Sequence, residues 1–229
     1  MDELSPLIKN LDIKTNNPQL INQAFIHRSY LNEFKTVKGS NERLEFLGDS
    51  ILSYLVSRHL YLQYPYLPEG DLTNLRSSVV KTQTLALIAD SLNLGLYLKL
   101  SHGEIEGGGR KNKSILADTF EAFLGAVLLD SGLDTVEKIL IKYLYPLIPV
   151  IFNDKSYKDA KSSFQEMVQE KIKFSPLYKV MTEKGPDHSK EFTIAVFVRN
   201  EIWGKGHGKN KQEAEQHAAR QAIEKWKKK

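Results

Sequence analysis

The chain has 229 residues, 41% of them apolar and 26% charged; this supports a packed core in one large or two modest domains and excludes a disordered polyelectrolyte. It has no cysteine, which excludes disulfides and thiolate metal centres and leads us to expect a reducing, cytoplasmic setting. The net charge of +4 is unevenly held: residues 159–229 carry 15 Lys and Arg against 10 Asp and Glu, residues 1–158 carry 17 against 18, so a basic module aimed at a polyanion follows one rich in carboxylates.

Met1 to Asn10 carries acids early and lacks an apolar run, so no signal peptide is expected there. No stretch approaches the roughly 20 apolar residues of a spanning helix, and no membrane partner is expected. Residues 1–151 read as successive helices. Apolar positions recur at helical spacing in Leu44, Leu47, Ile51 and Leu55, and again in Leu85, Ile88, Ala89 and Leu92. Tyr64 to Gly70 and Gly107 to Arg110 are breaks; the segment Gly107 to Lys113 could cradle phosphate, although it lacks Walker spacing, or could equally be a flexible connector, and Pro146 and Pro149 are expected to end the last helix of this part.

Phe152 to Lys158 is short and polar and reads as a linker, spanning about 20–25 Å if extended. From residue 159 the pattern changes. A helix is expected over Lys161–Lys171, strands over Leu177–Thr182, Glu191–Val198 and Ile202–Gly206, and a last helix from about Lys211 to Lys228 with Ala214, Ala218, Ala222 and Trp226 on one stripe. In the middle strand Phe192, Ile194, Val196 and Val198 alternate on one side, although Phe197 interrupts them. The fold class is therefore an all-α domain (1–151) followed by a small α+β domain of order α-β-β-β-α (159–229).

Glu42, Glu45 and Asp49 fall at i, i+3 and i+7 of one predicted helix, about 130° around from its Leu stripe. Asp118 and Glu121 form a second pair in a helix whose neighbouring positions Ala117, Ala122 and Gly125 are small enough to let another helix come close. Packed together, the two helices would gather carboxylates that repel one another unless a hard divalent cation such as Mg²⁺ offsets their charge. Such a site can activate water and steady the departing oxygen of a phosphodiester. The plainer alternative is solvent-facing acids, each paired with a Lys or Arg.

The stretch Asn41-Glu42-Arg43-Leu44-Glu45-Phe46-Leu47-Gly48-Asp49 resembles the signature of the ribonuclease III family. Its other landmarks are matched in order by His27 to Tyr30, Glu69 to Leu72 and Ser114 to Ala122, so the resemblance covers essentially the whole chain. It implies an endoribonuclease that hydrolyses phosphodiesters in double-stranded RNA, leaving 5′-phosphate and 3′-hydroxyl ends with short 3′ overhangs. It also implies Mg²⁺ as cofactor, with Mn²⁺ able to substitute, a homodimer, no small-molecule cofactor, and work on ribosomal RNA precursors and messages. Glu45, Asp118 and Glu121 match the family's metal ligands, Asp49 and Glu121 its catalytic acids, and Glu42 and Glu69 further acids near the scissile strand. Phe46 matches an aromatic that plugs into the partner subunit. Every acidic position is filled, which argues against the alternative of a non-catalytic RNA-binding protein that uses the domain as a dimer scaffold.

Residues 159–229 resemble a double-stranded RNA-binding domain through Gly206 to Ala219. Lys209 and Lys211 sit at a helix N-terminus, which itself attracts phosphate. By resemblance, Gln165 and Glu166 touch one minor groove and His188 the next. Gln212 stands where many family members carry Lys or Arg. The glycines of Gly204 to Gly208 do not form a dinucleotide fingerprint, the six histidines show no zinc spacing, and His27 is expected to be a structural helix residue.

Overall fold

Helix follows helix from Ser5 to Asp154: α1 (Ser5–Asn10), α2 (Pro18–Gln23), α3 (Tyr30–Glu33), α4 (Glu42–Gln63), α5 (Glu69–Val79), α6 (Thr82–Ser91), α7 (His102–Glu106), α8 (Lys113–Ser131), α9 (Leu133–Tyr143) and α10 (Ile148–Asp154). The structure, a computed structural model, describes residues 4–154, 157, 160–186 and 190–227. It divides into two units, Met1–Tyr157 and Lys158–Lys229. No helix of the described residues is long and apolar enough to cross a membrane.

Asparagines placed just before α4 and α8 set the two helices that matter most, the first by anchoring to α2 and its following turn, the second as a cap. Asn41, buried at 3% exposure, precedes α4. Its backbone N–H donates to the Ile26 carbonyl at 2.8 Å and its side-chain amide to the Ala24 carbonyl at 3.2 Å. Glu42 and Glu45 lie in the first turn of α4, where the helix dipole favours negative charge. The Asn112 side chain accepts from the backbone of Ser114 at 2.9 Å and Ile115 at 3.4 Å and so starts α8. Gly132, at φ +84°, ends it. α8 is buried almost all round, with Phe120, Phe123, Leu124 and Val127 in the centre of the first core.

Three expectations are corrected here. The buried stripe of α4 is Leu44, Gly48, Leu52, Leu55, Val56 and Leu60, while Leu47 and Ile51 are only half-buried. The packed face is thus rotated towards Glu45 and Asp49, because the closest contact is made by a glycine that carries no apolar signal. Pro149 does not end a helix; it sits in the first turn of α10, where a missing N–H costs nothing. Consequently the predicted linker is helical as far as Asp154. Tyr157 is buried in the first core and stacks on Phe152 with ring centroids 5.7 Å apart.

The loop at Gly107–Gly109 is also better tied than a flexible connector. Gly108 takes φ +79°, and the Arg110 guanidinium that follows donates to the carbonyls of Gly95 at 2.9 Å and Leu96 at 3.1 Å.

The second unit comprises α11 (Ala160–Ile172), β1 (Leu177–Lys184), β2 (Glu191–Val198), β3 (Glu201–Gly208) and α12 (Lys211–Lys227). The strands form one antiparallel sheet of order β1-β2-β3. Irregularities at Val180/Thr182 and Val196/Phe197 shift its register, the second at the residue that breaks the alternation of β2. β1 and β3 are both longer than their sequences suggest. The alanine stripe of α12 packs on the sheet through Gly204, Gly206 and Gly208: a Cβ on Gly204 or Gly206 would strike the carbonyl of Ala218 or Ala214. Trp226 meets Trp203 at 4.8 Å between centroids. The expected architecture, an all-α unit followed by α-β-β-β-α, is the one found.

Candidate active site

α4 and α8 approach each other backbone to backbone. A Cβ on Gly48 would collide with the carbonyl of Glu121, and one on Gly125 with the carbonyl of Leu44. Gly125 was recognisable as a small residue permitting close approach; Gly48 carries the same role and lies inside the signature stretch. The closeness brings oxygens of Glu45 on one helix and Asp118 and Glu121 on the other within 4.8 Å of one another. Among the described residues no ion pair ties these three acids to a Lys or Arg, so the solvated, individually paired alternative does not hold for them.

The electrostatics register the crowding. Burial, followed by the charges of Asp49, Asp118 and Glu45, pushes the Glu121 carboxyl up to about 8. Glu45 is raised by burial and then by Asp118, Glu42 and Asp49. Asp118 is raised by burial, against the opposing influence of His27. Half-buried carboxylates whose protons are held this tightly are short of positive charge. Their all-oxygen donor set suits a hard divalent cation, and the cluster can hold a metal ion.

The remaining predicted acids are placed around this trio. Asp49 is exposed, one turn on from Glu45; its charge reaches Glu121 and Glu45, and it accepts from the Ser53 hydroxyl at 3.5 Å. Glu42 is exposed, accepts from the Ser40 hydroxyl at 2.7 Å and lies 3.8 Å from the Arg28 guanidinium. Glu69 is not brought to the trio: it starts α5, accepts from the Thr73 hydroxyl at 3.1 Å and lines a pocket with Tyr54, Leu60 and Tyr61 of α4. Phe46 is 77% exposed.

His27 is not in a helix; it opens the turn that leads to Tyr30, and its backbone N–H donates to the Lys99 carbonyl at 3.1 Å. Its Nδ1 lies 2.8 Å from the Ser29 hydroxyl, which in turn accepts from the Ser101 backbone at 3.1 Å. This buttress was missed in the sequence because its parts are far apart along the chain.

In the second unit Gln165 and Glu166 are exposed on α11, and Lys209 and Lys211 are exposed at the start of α12. His188 lies outside the described residues. Asn210 caps α12 by accepting from the Glu213 backbone at 2.8 Å, while the Glu213 carboxylate reaches back to the Lys209 N–H at 2.7 Å. The Asn-x-x-Glu spacing of this box was readable in the sequence. The Lys211 ammonium lies 5.7 Å from the centre of the Phe192 ring.

Residues 17–148 match the family model described as ribonuclease-III-like. The chain belongs to the ribonuclease III family. Residues 160–225 match the double-stranded RNA binding motif. A ribonuclease 3 from Borreliella burgdorferi is 44% identical over 221 residues, covering 96% of this chain and 90% of that protein. One from Bacillus velezensis is 43% identical over 232 residues, covering 100% of this chain and 92% of that protein. The solved nuclease domain of ribonuclease III from Campylobacter jejuni, described for flexibility in a region involved in dimer formation, superimposes with a TM-score of 0.59. It is 34% identical and covers 64% of this chain and 99% of that one. With both domains of the ribonuclease III family in order, the chain is an endoribonuclease that acts on double-stranded RNA.

Proposed function

We propose that Glu45, Asp118 and Glu121 hold Mg²⁺, with Mn²⁺ able to substitute, and that Asp49 and Glu121 are the catalytic acids. The observation that carries this is the trio of oxygens within 4.8 Å, in a setting that lifts Glu121 to about 8. When bound, the ion supplies a lowered water pKa and positive charge for the departing oxygen. Glu45 and Asp118 fix its position from facing helices, Glu121 gives up the proton it holds in the metal-free protein, and exposed Asp49 orders water or substrate beside it. Water adds to phosphorus and gives up one proton, the bond to the 3′ oxygen breaks, and that oxygen takes up a proton to leave as a hydroxyl, so the products carry 5′-phosphate and 3′-hydroxyl ends with short 3′ overhangs. Ribosomal RNA precursors and messages in the cytoplasm are the proposed substrates, carried over from the family resemblance.

The exposed side of α4 supports a homodimer. Phe46, Ser50, Tyr54 and Tyr61 recur there at helical spacing, and a pocket of about 350 Å³ lies at the far end, lined by Tyr54, Leu60, Tyr61, Glu69 and Leu72. Two antiparallel α4 helices about a twofold axis seat each Phe46 in the other subunit's pocket. Because Phe46 adjoins Glu45, the same pairing carries the partner's Glu69 towards the catalytic carboxylates, which accounts for its absence from them within one chain. Phe46→Ala is expected to weaken dimerisation by roughly 10-fold or more, read by sedimentation; an unchanged dimer would remove Phe46 from the interface.

Gln165, Glu166, His188, Lys209 and Lys211 are proposed to hold the RNA through its grooves and phosphates. Gln212, exposed in the first turn of α12, is a phosphate contact not made. Gln212→Lys is expected to tighten duplex binding several-fold and to steepen the dependence of log K on log salt by about 0.7–0.9, measured by anisotropy titration over a salt series.

The whole reading is tested by incubating the purified protein with a long RNA duplex, with and without Mg²⁺, and mapping the product ends. Absence of Mg²⁺-dependent shortening would overturn it.

A further inference from the structure

We propose that the face of the β1-β2-β3 sheet turned away from α12 binds single-stranded RNA running on from the end of a duplex. A base stacks on Phe197, and Lys179 and Lys205 take the phosphates. The inference rests on RNA being the ligand of this unit but assigns a surface different from Gln165, Glu166, Lys209 and Lys211.

The sheet is two-faced. Phe192, Ile194, Val196 and Val198 of β2 are buried on the side that α12 covers, together with the three glycines of β3. On the other side, among the described residues of this unit, no helix lies over the strands: Lys179 and Lys205 are exposed there, Phe197 is half-buried, and Ala195 is buried between them. The register builds cross-strand rows on that side. Leu177, Phe197 and Ile202 form an apolar row, with Leu177 52% and Ile202 37% exposed. Lys179, Ala195 and Lys205 form the next. Thr182, Thr193 and His207 follow, with the Thr193 hydroxyl 2.9 Å from His207 Nδ1. At this end of the sheet an open pocket of about 440 Å³ takes in those three residues together with the bases Lys184 and Lys209 and the acids Glu191 and Glu213, reaching round to the start of α12.

The chemistry of these rows selects the ligand. From Thr193 to Phe197 is about 13 Å along the strand, room for a short single-stranded segment. A duplex buries the faces of its bases and offers none to a ring, whereas unpaired bases stack on aromatic side chains beside a cationic track. The Lys179 ammonium lies 5.3 Å from the centre of the Phe197 ring; an arriving base displaces it towards the adjoining phosphate. A protein partner fits less well, since lysines are depleted from the centres of protein interfaces, and here two of them occupy the middle row.

The test compares a blunt RNA duplex with the same duplex carrying a single-stranded pyrimidine tail, titrated against the full chain in EDTA to prevent cleavage. The tail is expected to tighten binding about fivefold or more. That gain should vanish in Phe197→Ala and in the double variant Lys179→Gln/Lys205→Gln, while affinity for the blunt duplex stays at the wild-type value. Photocrosslinks from 4-thiouridine in the tail should fall in β1, β2 or β3. The proposal is overturned if the tail adds nothing to the wild type, if the gain survives the lysine double variant, or if crosslinks fall elsewhere. Should Phe197→Ala lose its fold on a thermal melt, the lysine variant and the crosslinks decide. Loss of blunt-duplex binding by the wild type would instead refute the RNA-binding reading on which this one stands.

Discussion

Glu121→Gln is expected to lower Mg²⁺-dependent cleavage of an RNA duplex by at least about 10³-fold while leaving duplex binding intact. The same substitution should stabilise the metal-free protein at alkaline pH. Burial and three neighbouring acids raise Glu121 to about 8 from an ordinary 4.5. Between those values the folded chain keeps a proton that the unfolded chain has released, so stability falls as pH rises. The contribution is complete below about 4.5 and spent above about 8. Glutamine carries no such dependence. In EDTA at pH 8.5 the variant should therefore exceed the wild type by on the order of 2–3 kcal/mol, after allowing for partial exposure, and the gap should close towards pH 4.5. Excess Mg²⁺ should close it as well, because an ion that binds only the folded wild type stabilises it by mass action. Thermal melts at the two pH values, with EDTA and with Mg²⁺, check all of this. A variant that cuts RNA at the wild-type rate, or melts below the wild type in EDTA at pH 8.5, would remove Glu121 from the centre of the site.

Much of this site could be read from residue spacing. The i, i+3 placement of Asp118 and Glu121 in an apolar, small-residue helix already signalled an acid pair packed against something. What spacing misjudged was the rotation of α4. A hydrophobic stripe is found by counting large apolar side chains, and the innermost position of that helix is Gly48, which has none. Counting Leu47 and Ile51 instead swung the inferred face away from Glu45 and Asp49, although these flank the true contact. Pro149 and Tyr157 show the same limit in another form. A proline marks a helix start as readily as a stop, and Tyr157 packs through a chain of rings, 5.7 Å from Phe152, which itself lies 4.8 Å from Tyr64. Glu69 is the converse case. Its motif was found in the sequence, yet within one chain it stands with Tyr54 and Tyr61 rather than with the trio. Under the proposed homodimer, that separation is the one expected of a residue supplied by the other copy.

Gly48→Ala should be the most damaging single-methyl change in the first unit. The added carbon would meet the carbonyl of Glu121, a backbone atom inside a helix buried almost all round, so neither partner can turn aside. α4 and α8 must then separate or slide, and the separation falls between Glu45 and Glu121, whose oxygens now lie within 4.8 Å of each other and are proposed to share an ion. Overpacking of this kind costs about 1–3 kcal/mol or more, and a displacement of about 1 Å at reacting groups costs on the order of 10²-fold in rate. Both effects are expected together, with a higher Mg²⁺ concentration needed for half-maximal cleavage. Gly103→Ala serves as the control: a Cβ there meets nothing within 4 Å, and the residue lies in α7 away from the carboxylates. It should leave cleavage unchanged and raise stability by about 0.5–1 kcal/mol through helix propensity alone. If Gly48→Ala cleaves at the wild-type rate with an unchanged Mg²⁺ requirement, close approach of α4 and α8 is not what holds the site together.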